Sequence, residues 1–303
     1  MEHAKVATGV ELCHELLGEP GDPVVVLIAG LGRQLIGWDD AFCELLGAEG
    51  FRVLRFDNRD AGSSTQIEGG PPFDLAAARR GGAAAVAYTL DDMADDTVAL
   101  LDALDIDAAH MVGTSLGGMI AQAVAIRHPA RVQSLCSIMS TTGADDVGRP
   151  KPEAMAVVMD RPPAQRDAYV AFELANCRII GSRGALVDED WRRGRFERFF
   201  DRGIHPAGTA RQIMAMVASG SRSAALAGVR VPTVVIHGDI DTLVPLDGGE
   251  ATARAIPGAQ LVVIPDMGHE IPPAAQPEVV AAIVANARRA TAGQPSSALG
   301  RTR

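Results

Sequence analysis

Gly113-Thr114-Ser115-Leu116-Gly117 sets a serine between two glycines, after the apolar run Ala108–Val112 and before the helical run Leu116–Arg127. A strand that turns this sharply into a helix strains its central residue and lifts that side chain clear of the backbone. The residues two positions away on either side must then be small, and here both are glycine. Beneath the serine, the helix N-terminus offers free amides and the positive end of its dipole to developing negative charge. The chemistry this predicts is attack by the Ser115 hydroxyl on a carbonyl carbon, with the Leu116 amide as one donor to the oxyanion. No other G-x-S-x-G occurs, because Ser64 in Gly62-Ser63-Ser64-Thr65-Gln66 lacks the second glycine. The plain alternative is a glycine-rich βα turn with a capping serine.

A serine hydroxyl attacks poorly until a base takes its proton, and the base needs a third group to fix its tautomer. Behind an elbow of this kind the chain order is serine, acid, histidine. Downstream, the apolar run Val231–His237 leads into Gly238-Asp239-Ile240-Asp241-Thr242-Leu243-Val244-Pro245. Leu261–Pro265 then leads into Asp266-Met267-Gly268-His269. Both loops start at the carboxyl ends of strands, on the sheet edge that carries Ser115. Asp239 and Asp241 are thus the candidate acids and His269 the candidate base. The other histidines fit worse. His237 closes a strand, His128 stops a helix, His110 precedes the elbow, His205 lies in a helical stretch where a surface position is expected ahead of a substrate contact, and His3 and His14 are N-terminal.

The elements that must hold these groups alternate. Residues 6–17 read as a strand or hairpin, and Val24–Ala29, Phe51–Phe56, Ala108–Val112, Val132–Met139, Val231–His237 and Gln260–Ile264 as strands. Helices are expected over Trp38–Ala48, 90–104 (opened by Thr89 with Asp92), Leu116–Arg127, Pro245–Ile256 and Pro277–Arg289. Such alternation predicts an α/β fold with a mainly parallel central sheet flanked by helices. Two stretches interrupt it. Residues 60–88 form a long connection rich in Gly, Pro and Ala. Residues 141–228 carry helical runs, Ala164–Cys177 and Asp188–Phe200, broken by prolines and without a strand pattern. The second reads as a helical lid inserted between two strands, over the carboxyl edge where open α/β sheets bind ligands. The domain reading is a core of 1–140 and 229–290, a cap of 141–228, and a disordered tail of 291–303 rich in small and polar residues.

With these motifs in place the chain resembles the α/β-hydrolase superfamily over nearly its whole length. The resemblance implies an α/β-hydrolase fold with the acid in a G-x-x-D-x-x-x-P loop, which selects Asp241 over Asp239, and with His269 as base. It also implies that the second oxyanion donor comes from Ala29-Gly30-Leu31-Gly32-Arg33, at the Leu31 amide. Many members have His-Gly where this chain has Ala29-Gly30, so a side chain that often braces the loop is missing. Gly30-Leu31-Gly32 followed by Trp38, with Asp57-Asn58-Arg59-Asp60-Ala61-Gly62-Ser63, is similar to bacterial lipase- and esterase-like hydrolases that include the aclacinomycin methylesterases. In that pattern Asp57 and Arg59 are structural. The activity implied is hydrolysis of a small-molecule carboxylic ester, with no cofactor and no metal. Haloperoxidase or perhydrolase, thioesterase and C–C hydrolase reactions run on the same triad. Asp-nucleophile dehalogenase and epoxide-hydrolase chemistry is disfavoured by Ser115.

Composition narrows the classes further. A formal net charge of −10 supplies no basic stripe for nucleic acid. Asp91, Asp92, Asp95, Asp96 and Asp102 recur at helical spacing, as a solvated face does. No run of 18 apolar residues spans a membrane, no signal-peptide core follows Met1, and Cys13, Cys43, Cys136 and Cys177 sit in apolar patterns without C-x-x-C spacing. These features predict reduced cysteines and a cytoplasmic protein. Monomer and homodimer stay equally open. A dinucleotide-binding reading of Val24–Gly32 fails at the third glycine, where Leu35 stands. A non-catalytic small-molecule-binding protein on the same fold is the remaining rival.

Overall fold

Valine, leucine and isoleucine alone make up Val24–Ile28, and all five side chains are buried, as a strand covered on both faces requires. In the computed structural model, which describes residues 1–292, this segment lies inside an eight-stranded sheet. The elements in chain order begin with β1 (Glu2–Lys5), β2 (Glu11–Leu17), β3 (Val24–Ile28), α1 (Asp40–Ala48), β4 (Arg52–Phe56) and α2 (Leu75–Gly81). There follow α3 (Leu90–Ala103), β5 (Ala109–Thr114), α4 (Leu116–Arg127) and β6 (Val132–Ile138). Five helices come next, α5 (Pro152–Met159), α6 (Arg166–Ile180), α7 (Glu189–Arg202), α8 (Pro206–Ser219) and α9 (Ser223–Leu226). β7 (Thr233–Gly238), α10 (Leu246–Ala255), β8 (Gln260–Ile264) and α11 (Gln276–Ala292) complete the fold.

The strand order is β1-β2-β4-β3-β5-β6-β7-β8, antiparallel for the two pairings of β2 and parallel elsewhere. From β3 the chain first adds β4 on one side and later β5 on the other. That reversal opens a crevice past the carboxyl ends of β3 and β5, where an open parallel sheet binds its ligand. The loops holding Leu31 and Ser115 begin there. Alternate residues of β3 feed opposite layers. Val24, Val26 and Ile28 pack with helices α3 and α4, while Val25 and Leu27 join the layer that includes α1 and α11.

The expected strands and principal helices are present with ends shifted by a few residues. Thr89 and Asp92 form a reciprocal capping box at the start of α3. Three features differ from the sequence expectation. The 60–88 connection contains α2, capped by the Asp74 side chain. Pro152 and Pro206 occupy first helical positions, so they begin α5 and α8 rather than merely separating helices. Asp96 is not on a solvated face. It is buried against Arg59 at 2.6 Å, whereas Asp91 and Asp95 do pair at the surface with Arg127. The tail expected over 291–303 lies from residue 293 outside the described residues, and Thr291 and Ala292 end α11.

Everything between β6 and β7 is helical or loop, with its own small core of Tyr169, Val170, Leu174, Cys177, Phe196 and Phe199. All four cysteines are buried free thiols. Among the described residues no helix is long and apolar enough to cross a membrane.

Candidate active site

Between the last residue of β5 and the first of α4 stands Ser115 alone. Its φ of 53° and ψ of −118° lie outside the regions L residues favour, a strain of about 1–3 kcal/mol that the surroundings must hold in place. Hydrogen bonds to its backbone do so. The Ser115 amide donates to the Ile138 carbonyl at 2.9 Å, and the Ser140 hydroxyl donates to the Ser115 carbonyl at 2.8 Å. The glycines of the motif have steric reasons. A Cβ at Gly113 would overlap the Gly117 carbonyl, and one at Gly117 would overlap the Ile28 carbonyl of β3. Gly117→Ala is therefore expected to cost about 3 kcal/mol by overpacking. Thermal denaturation checks this, and an unchanged melting temperature would contradict it.

The three side chains expected to act together do meet. His269 Nε2 lies 3.0 Å from Ser115 Oγ, and His269 Nδ1 lies 2.7 Å from Asp241 Oδ2. The other Asp241 oxygen accepts from the Leu243 and Val244 amides at 2.8 and 2.9 Å, which fixes the carboxylate in its loop. Asp241 is 4% exposed, whereas Asp239 is exposed and makes no side-chain contact with His269. Of the two aspartates, the geometry sets Asp241, and not Asp239, against His269. An imidazole held between a hydroxyl and a buried carboxylate can accept the hydroxyl proton while its charged form stays stabilised.

Leu31 follows β3, and its loop runs against the elbow: a Cβ at Gly30 would contact the Ser115 Cβ at 3.4 Å. Among the described residues neither the Leu31 nor the Leu116 amide donates to a protein acceptor. Asp57 and Arg59 are braces, as the resemblance implied. Asp57 accepts from the Leu35 and Ser63 amides and pairs with Arg202, while Arg59 pairs with Asp96.

The remaining histidines do not reach this centre as bases. His237 is fully buried and donates from Nε2 to the Val244 carbonyl at 2.7 Å, and burial lowers its pKa below the usual histidine value. Burial holds His110 down to about 4, with Nδ1 against the Ser134 hydroxyl. His205 is half-buried, donates to the Gly62 carbonyl at 2.9 Å and lines the cavity over Ser115.

That cavity, of about 850 Å³, reaches from Ser115 and His269 to the inserted helices. Phe73, Met155 and Met159 are exposed on its wall, and Phe172, Ile213 and Met216 also line it. Arg33 on its wall pairs with Glu173 at 3.0 Å. Arg195 instead rests on the ring faces of Trp191 and Phe199, at 5.0 and 5.3 Å, and burial lowers its pKa. No sequence pattern marks a further set of residues from the inserted helices that brace the site. The His269 amide donates to the Ile180 carbonyl at the end of α6, the Thr242 hydroxyl to the Ile179 carbonyl, and Glu270 pairs with buried Arg192. Such contacts follow no periodicity and join residues some 60 to 90 positions apart.

A family model described as alpha/beta hydrolase fold matches residues 23–273. Rhodomycin D methylesterase DauP of Streptomyces sp. (strain C5) is 31% identical over 310 residues, covering 93% of this chain and 96% of that protein. A 2-hydroxymuconate semialdehyde hydrolase of Pseudomonas sp. (strain CF600) is 32% identical over 189 residues, covering 60% of this chain and 62% of that protein. Among solved structures, a thermophilic esterase from Thermogutta terrifontis superposes with a TM-score of 0.70 at 28% identity, over 96% of this chain and 99% of that one.

Proposed function

The chain belongs to the alpha/beta hydrolase family, and from that premise we propose that it hydrolyses carboxylic esters of small molecules through an acyl-enzyme formed on Ser115. The observation that carries this reading is the continuous contact from Ser115 through His269 to Asp241, at 3.0 and 2.7 Å. His269 Nε2 takes the hydroxyl proton as Ser115 Oγ attacks the ester carbonyl. Asp241 accepts from Nδ1 and stabilises the imidazolium. The Leu31 and Leu116 amides hold the oxyanion, and the alcohol leaves with the proton from His269. Water then enters, His269 removes its proton, and collapse of the second tetrahedral intermediate releases the acid and restores Ser115.

The inserted segment 141–228 acts as the cap that shapes the substrate site. Its cavity of about 850 Å³ suits a bulky apolar acid component better than a short acyl chain. The resemblance to a rhodomycin D methylesterase points the same way, toward methyl esters of large acids. Arg195, which pairs with no carboxylate among the described residues, supplies a cation for an electronegative group of that substrate.

The test pairs a fluorophosphonate label with an ester panel. Labelling of Ser115 and turnover of methyl or p-nitrophenyl esters are expected, with bulky aromatic acids preferred over acetate. Labelling without ester turnover, but with cleavage of a vinylogous diketone or peroxide-dependent halogenation, would move the reaction to another member of the triad chemistries. Absence of labelling would favour a binding protein.

A further inference from the structure

Three consecutive residues after Leu31 are each bound to a different helix of the inserted segment. The Gly32 amide donates to Gln212 Oε1 on α8 at 2.8 Å. Arg33 pairs with Glu173 on α6 at 3.0 Å. Gln34 Nε2 donates to the Phe199 carbonyl on α7 and to the Gly203 carbonyl just beyond it, at 2.9 and 2.6 Å. Ala29 and Gly30 bring no polar side chain of their own to this loop, and within it a single turn bond runs from the Arg33 amide to the Gly30 carbonyl at 3.1 Å.

Gln212 is fully buried and spans two loops of the core. Its oxygen takes the Gly32 amide, and its nitrogen donates to the Arg59 carbonyl after β4 at 2.8 Å. One partner is a donor and the other an acceptor, so both are satisfied in only one orientation of the amide. Gly32 itself stands at a φ of +62°, and a Cβ there would lie 2.6 Å from Thr209 Oγ1, one turn along α8 from Gln212. The backbone beside Leu31 is therefore bent into a conformation that α8 holds from above.

We propose that Gln212 is a positioning residue for the oxyanion hole, so that the seated cap, and not the β3 loop alone, aims the Leu31 amide. This rests on the hydrolase reading above. A donor lowers the barrier only if it is aimed before charge develops, because reorienting it during the reaction consumes what it would contribute. Releasing Gly32 frees the peptide next to Leu31 to turn, while the triad, held by separate bonds, stays assembled. Gln212 thus affects the rate step without touching substrate.

The experiment measures kcat and KM on a p-nitrophenyl ester for wild type, Gln212→Met and Gln212→Glu, per active site counted by complete fluorophosphonate labelling. An arylboronic acid, whose tetrahedral adduct on Ser115 puts an oxygen in the hole, serves as a second probe. Gln212→Met keeps the side-chain length and loses both bonds, so kcat falls by about 10- to 100-fold while KM stays within about threefold. Boronate affinity falls in the same proportion. Gln212→Glu keeps an acceptor for Gly32 and, as the protonated acid that burial favours, a donor for the Arg59 carbonyl, so it recovers most of the lost kcat. A Gln212→Met kcat within about twofold of wild type overturns the proposal, as does an equal loss in both variants, which assigns the residue to packing. Failure of the wild type to take the label overturns the hydrolase reading instead.

Discussion

Ser115→Ala is expected to lower kcat/KM for simple esters by about a million-fold, the scale seen when a serine triad loses its nucleophile. The substitution removes one oxygen and keeps the Cβ, so the positive φ of 53° at the elbow is as strained as before and its bonds to Ile138 and Ser140 are backbone contacts that persist. Melting temperature should therefore stay within a few degrees of wild type. The fluorophosphonate label should vanish. Residual activity of about 10³–10⁴ over water reflects binding and the oxyanion donors alone. His269→Ala should cost a similar factor, and the double variant little more than either single one, because the two side chains act as a unit through their 3.0 Å contact. Activity of Ser115→Ala within tenfold of wild type would remove the nucleophile assignment. A double variant with multiplied losses would separate His269 from Ser115.

The legible part of this protein lies along the strands and at their carboxyl ends. Val24–Ile28 declares itself because a strand buried on both faces leaves no polar position, and Thr89 with Asp92 marks α3 because a capping box satisfies two amides at once. Ser115, Leu116 and His269 stand out as candidates for a related reason, since each follows closely on the carboxyl end of a strand, whereas Asp241 over Asp239 and the Leu31 amide come only with the family resemblance. The inserted helices obey weaker local rules. Pro206 looked like a break, yet its missing amide is harmless at the first helical position, and α8 starts on it. Asp96 has the spacing of a solvated acid but turns inward to Arg59, a partner 37 residues away that only the tertiary fold supplies. Gln212 carries no motif at all. Its weight comes from reaching Gly32 across 180 residues, and a single sequence holds no trace of such a pairing.

The choice between two aspartates two residues apart gives the second large effect. Asp241→Asn is expected to lower kcat by about 10⁴-fold with little change in fold. The asparagine oxygen can still accept the Leu243 and Val244 amides, at the 2.8 and 2.9 Å positions of Asp241 Oδ1. Its NH₂ then occupies the place of Oδ2 and points a donor at His269 Nδ1, 2.7 Å away. To accept it, the imidazole must move its proton to Nε2, which directs a donor instead of a base at Ser115 Oγ. The wrong tautomer is therefore built in, and no carboxylate remains to stabilise the imidazolium. Asp239 is exposed, with only its backbone amide bonded to the Ile264 carbonyl at 3.3 Å, so Asp239→Asn should leave kcat within about threefold of wild type. Kinetics of both variants on one ester, with circular dichroism to check folding, decide the matter. The reverse ranking would place the acid at residue 239. Equal, small losses would mean that His269 keeps its tautomer without either carboxylate.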